Sequence, residues 1–213
     1  MPFKLKAYGE RSWLVDGLEH AARFALEAAL LKSPPDFFEE HVLGHSNVLL
    51  VFTRPLAKSA LLAWLSSIDL EPSVALKASP RHKVPVIYDG PDLEEVAGKT
   101  GLSVDEMIAI HAGADYTVRM IGFTPGFPYL DGLDPRLELD RRDLPRTRIE
   151  PGTVAIGGPH AGIYSVASPG GWHLLGRTNF ELFRPERAKG DDVEPAEAFG
   201  LQPGDRVRFV PQG

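Results

Sequence analysis

The residues best equipped for chemistry lie in the second half of the chain. Arg148 and Arg177 are planar cationic forks able to hold a carboxylate or phosphate by paired hydrogen bonds. Each sits beside a segment rich in glycine, proline and aromatic residues: GFTPGFPYLDGLDP (122–135), PGTVAIGGPHAGIY (151–164) and SPGGWHLLGRT (168–178). In these segments Gly126, Gly157, Gly158, Gly162, Gly170 and Gly171 let backbone N–H groups approach a ligand. Prolines such as Pro125 fix the loop shape in advance, and Phe123, Phe127, Tyr129, Tyr164 and Trp172 supply rigid contact area. Such loops lose little entropy on binding, so they are expected to touch a ligand or a partner. Tight barrel corners plugged by aromatics would use the same residues.

Other chemistries find less support. Cysteine is absent, which excludes disulfides, thiolate nucleophiles and thiolate-bound metals. The seven histidines form no HxH or HExxH motif, and His41 and His45 fall across an expected hairpin turn, so no metal site is predicted. No GxSxG elbow occurs, and Ser168, before Pro169-Gly170-Gly171, is expected to bond a turn backbone. The cluster GGPHAG (157–162) lacks the GK[ST] ending of a phosphate loop. The net charge of −6 falls in the second half, which argues against nucleic acid. Within that half, RLELDRRDLPRTR (136–148) forms a basic island suited to a small anion, or a solvated arginine-rich loop.

These segments need a scaffold. At 213 residues, 43% hydrophobic and 24% charged, the chain has a soluble globular composition, with no apolar run of membrane-spanning length and no leader-like N-terminus; a cytoplasmic location is expected. Strands are expected at residues 3–7 and 12–15, then a helix capped by Asp16. A hairpin turning at Gly44-His45-Ser46, a second helix through Leu61 and Leu65, and a strand at 73–79 follow. This order resembles a ferredoxin-like split with an extra strand. The run SPRHKVP (79–85) has linker composition, so a small α/β domain is placed at 1–82 and a second domain at 83–213. There, two short helices, the second opened by a Ser103/Glu106 capping box, precede short β-type runs between Gly/Pro turns, including 180–183, which suggests a closed barrel or sandwich. The stretch 122–135 itself is too broken for a strand.

Taken together, GFTPGFPYL (122–130), RIEPGTVAIGG (148–158) and GIYSVASPGGWHLLGRT (162–178) resemble the KipI/allophanate hydrolase subunit 1 family, which includes the B-type subunit of prokaryotic 5-oxoprolinase. The likeness runs nearly end to end and brings Thr178 into the motif set. It implies an α+β chain, a ferredoxin-like N-terminal domain followed by a cyclophilin-like β-barrel. It also implies a subunit of an ATP-dependent 5-oxoprolinase, inactive alone, working with a second carboxyltransferase-type subunit and a lactam-binding subunit. Relatives imply two alternatives: an inhibitor binding a sensor histidine kinase, and an allophanate hydrolase or urea carboxylase component. Two positions depart from the family pattern. His160-Ala161 stands where many members have Gln-Thr, and Asn179 where many have proline; an imidazole at 160 could act as acid or base near neutral pH. No isomerase site accompanies the cyclophilin likeness.

Overall fold

The computed structural model describes residues 3–70, 79–188 and 195–212 and divides into two compact units, Met1–Ala78 and Ser79–Gly213. The first unit carries β1 (Lys4–Ala7), β2 (Ser12–Asp16), α1 (His20–Lys32), β3 (Phe38–Leu43), β4 (Asn47–Phe52) and α2 (Lys58–Ser67). Its four strands form one antiparallel sheet in the order β1-β2-β4-β3. Alternation along β4 sends Val48, Leu50 and Phe52 into a core shared with Leu26 and Leu30 of α1 and Leu61 and Leu65 of α2. The expected cap is corrected: Asp16 closes β2 in an ion pair with Lys6 at 2.6 Å, and α1 starts only after Glu19. In a ferredoxin-like split a last strand would flank β2, but β1 holds that edge. The run expected at 73–79 lies, apart from Ser79, outside the described residues.

The second unit begins with β5 (Arg81–Val86), α3 (Leu93–Thr100) and α4 (Val104–Gly113), whose Ser103/Glu106 capping box is formed. Then come β6 (Tyr116–Ile121), β7 (Pro128–Asp131), β8 (Arg146–Ile149), β9 (Thr153–Gly157), β10 (His160–Ile163), β11 (Ser168–Gly170), β12 (His173–Arg177) and β13 (Arg206–Pro211). Seven strands make one sheet, β12-β9-β10-β7-β6-β13-β5, with only β13 and β5 parallel. The sheet curls until Ile87, just past β5, exchanges two 2.9 Å backbone bonds with Arg177 of β12, so the barrel is nearly closed. Val84, Val118, Leu130, Val154, Ile156 and Phe209 fill its interior.

Four local expectations are corrected here. SPRHKVP is no linker, because Arg81–Val86 is the parallel edge strand β5, and a domain cut at 82/83 falls inside it. The broken stretch 122–135 contains β7, since Pro128 opens the strand, where no ladder N–H is needed from it. The arginine-rich loop ends in β8, paired with β11. Residues 180–183 form no strand and make only an isolated bridge from Phe183 to Phe199.

Candidate functional site

Alternation in β9 and β10 decides where the aromatic residues go. Val154, Ile156, Ala161 and Ile163 point into the barrel, which leaves Ala155, Gly157 and Gly162 on its outer face. There the indole of Trp172 lies directly on the strands. A Cβ added to Gly157 would stand 2.7 Å from the Trp172 ring, and one on Gly162 would meet Trp172 at 2.8 Å and Phe127 at 2.9 Å. Both positions therefore need glycine for close approach. Phe127, 1% exposed, is the hub: Phe123, Tyr129, Tyr164 and Trp172 meet it edge-on with centroids 5.1–5.6 Å away.

These rings wall a cavity of about 320 Å³ whose remaining lining is Arg141, Arg142, Pro145, Pro169, Gly170 and Gly171. Phe123 forms its lip, 58% exposed and held at φ +68°, with the Thr124 N–H donating to the Gly122 carbonyl at 2.8 Å. A bulky residue in that conformation is strained. Burial raises the Tyr129 and Tyr164 phenols above their ordinary range; at Tyr164 a backbone N–H from Trp172 partly opposes this. Both remain protonated donors at neutral pH. Pro125 and Gly126 shape the turn that delivers Phe127, and the Pro125 carbonyl accepts from Ser165 Oγ at 2.6 Å.

The cavity's cations come from the arginine-rich loop, held down by buried acid. Asp92, just before α3, is 2% exposed and accepts from Arg146 Nη2 (2.6 Å), Arg142 Nη1 (3.2 Å) and the Leu174 N–H (2.7 Å). Arg142 also engages Glu95, whose carboxyl is lowered to about 2 by hydrogen bonds from Lys99 and Arg142. The Arg142 N–H donates to the Gly171 carbonyl at 2.7 Å, which clamps the loop over the SPGGW segment. Arg141 is left exposed, its guanidinium 6.0 Å from the Trp172 ring centroid, with no ion pair to a described residue.

The fold thus brings Phe127, Tyr129, Tyr164, Gly170, Gly171 and Trp172 together but leaves the two expected clamps elsewhere. Arg148 is two-thirds exposed and bound to its neighbour Glu150 at 2.6 Å. Arg177 pairs with Asp89 at 2.8 Å and, with Thr178, lines a separate cavity of about 460 Å³ alongside Pro85, Ile87, Asn179 and Gln212. His160 is nine-tenths buried, its Nδ1 3.1 Å from Asp131 Oδ1 and its ring edge-on to Tyr129. Burial raises the Asp131 carboxyl, but hydrogen bonds from His160 and Arg119 outweigh it and bring it to about 2. Ser168 lies in β11, not in a turn, and its buried hydroxyl has no described hydrogen-bond partner. Arg141, Arg142 and Asp92 were not among the expected site residues. The arginine-rich composition pointed to the first two, but nothing local marks Asp92, 50 positions from Arg142. No group of three or more His, Asp or Glu able to hold a metal occurs among the described residues.

Residues 3–191 match the family model of the carboxyltransferase domain, subdomain C and D. The chain belongs to this family. It is 40% identical over 182 residues to the B-type subunit of 5-oxoprolinase from Escherichia coli O157:H7, covering 81% of this chain and 78% of that one. To the corresponding 5-oxoprolinase chain of Haemophilus influenzae it is 40% identical, over 87% and 84% of the two chains. The match to the Bacillus subtilis chain of the same name is 44% identical over 60% and 51%. Among solved structures, TTHA0988 superposes with a TM-score of 0.79 at 37% identity; the alignment covers 95% of this chain, which spans only 40% of that one. The urea carboxylase of Kluyveromyces lactis shares the fold, with a TM-score of 0.75 at 22% identity over 99% of this chain and 22% of its own.

Proposed function

We propose that this chain is the B-type subunit of an ATP-dependent 5-oxoprolinase, its second unit a cyclophilin-like barrel. It would act with a second carboxyltransferase-type subunit and a lactam-binding subunit, and would be inactive alone. The observation that carries this is the identity of 40–44% to three proteins of that name. The outer-face cavity is consistent with it. Apolar rings suit the methylene edge of a small lactam, and Arg141 offers a cation at the rim, unpaired among the described residues, for a carboxylate. Hydrolysing an unstrained lactam is reluctant, and coupling to ATP lets a phosphorylated intermediate carry the leaving oxygen away as phosphate.

Within this reading the protonated Tyr129 and Tyr164 phenols donate to oxygens in the cavity, and Arg141 holds the anionic end. His160, tied to Asp131, is positioned by that carboxylate as a proton donor or acceptor beside Tyr129. Arg148 and Arg177 would contribute only in the assembled complex, by exchanging Glu150 or Asp89 for a substrate or nucleotide anion. The test is co-expression with the two partner subunits and an assay of ADP release dependent on 5-oxoproline. The full set should release ADP, with Arg141→Ala raising KM about tenfold for one lost charge-assisted contact. A complete, assembled set that releases none overturns the proposal.

A further inference from the structure

A second concentration of charge lies away from the aromatic cavity, on the parallel pair β5 and β13. Register sets Arg81 beside Arg206 and Lys83 beside Arg208. All four are exposed, while the alternate residues Val84, Val207 and Phe209 are buried in the barrel. Neighbouring strands lie about 4.8 Å apart and alternate residues about 6.6 Å along a strand, so four cations stand at the corners of one small rectangle. Like charges set directly opposite each other destabilise a sheet.

The chain does not relieve that repulsion, although it has the acids to do so. Elsewhere in this unit arginines find carboxylates: Arg119 with Asp131, Arg142 and Arg146 with Asp92, Arg184 with Glu181. None of the four seam cations forms an ion pair with a described residue. They surround a cavity of about 150 Å³ together with His82, Val207 and Asp115. His82 is bound to the buried Asp205 at 2.9 Å, and that carboxylate also accepts from the Gln202 N–H, so it is turned away from the four seam cations, with none of which it pairs. Asp115 is the one opposing carboxylate in the lining, which leaves a clear cationic excess at the cavity.

We propose that this seam is a binding site for an oligophosphate, whose closely spaced negative oxygens match four cations on a strand-spaced grid of about 5 by 7 Å. Its volume has room for one or two phosphoryl groups, and the open strand face lets the rest of a ligand extend. This inference stands on the seam alone and is independent of the lactam reading.

The experiment uses the purified full chain, titrated calorimetrically with inorganic tripolyphosphate, ATP, AMP and poly-L-glutamate at low salt, with thermal midpoints in parallel. The variant is Lys83→Gln combined with Arg206→Gln, one cation from each like-charged pair. Wild type should bind tripolyphosphate with an affinity that falls as salt rises. The double variant should lose about a hundredfold, roughly tenfold per charge-assisted contact, and melt no lower without ligand, since its substitutions remove repulsion. ATP matching tripolyphosphate assigns recognition to the phosphates, and ATP exceeding it adds the nucleoside; both support the site. Absence of tripolyphosphate binding to wild type, or equal binding by the variant, overturns the proposal. So does binding of poly-L-glutamate without tripolyphosphate, which would make the seam a contact for an acidic protein.

Discussion

Replacing Asp92 tests whether one buried carboxylate sets the cavity's charged wall. Asp92→Asn keeps the shape and one acceptor for the Leu174 N–H but removes the charge facing Arg142 and Arg146. Removing one partner of a buried ion pair costs about 3–5 kcal/mol, because the other charge stays behind. Here the arginine side chains are 28% and 27% exposed and Arg142 keeps Glu95, which points to the lower end, about 3 kcal/mol. For a unit of this size that is a fall of roughly 10 °C in thermal midpoint. Urea unfolding followed by tryptophan fluorescence is suited to the test, since Trp172 is the one tryptophan of the second unit. Glu150→Gln is the control. It also deprives an arginine of its carboxylate, but at a site where both side chains are about two-thirds exposed and screened by solvent, so its urea midpoint should match that of wild type. An Asp92→Asn protein within about 0.5 kcal/mol of wild type, or a control that costs as much, would refute the reasoning.

Three further outcomes are expected. Gly162→Ala drives a methyl group against Trp172, Phe127 and the Pro128 carbonyl at 2.8–3.0 Å, so it should destabilise by about 1–3 kcal/mol and shift Trp172 fluorescence; unchanged emission would contradict the packing. Burial lowers the His111 imidazole to about 3, so the unfolded chain takes up a proton near pH 6.5 that the folded chain refuses. Its stabilising contribution is complete above pH 6.5 and is lost as pH falls from there towards 3; urea midpoints of His111→Gln should lose part of the wild-type slope between pH 6.5 and 4. Arg177→Ala should leave the chain's own stability within about 1 kcal/mol, given an exposed partner in Asp89, so any larger effect on turnover in the complex would have to come from ligand or subunit contact.

The elements with strong local signals were legible in advance. The capping box at Ser103 and the hairpin at Gly44-His45-Ser46 are specified by neighbours within a few residues. So was the aromatic half of the candidate site, because Gly157, Gly162 and Trp172 are unusual in type and their motif is contiguous. The strands β5, β7 and β8 were obscured for a common reason. Proline and charge mask alternation, and Arg81–Val86 is strand only because β13 supplies a parallel partner more than 120 residues away. The electrostatics were settled at the same distance. Position beside the glycine-rich segments favoured Arg148 and Arg177, but side-chain direction and the placement of Asp92, Glu150 and Asp89 bring Arg141 and Arg142 to the rings instead. The sequence by itself determined which residues are stiff, aromatic and able to pack closely. Only the tertiary structure decided which charges are spent on one another and which are left facing solvent, since ion pairing depends on distances that chain order does not encode.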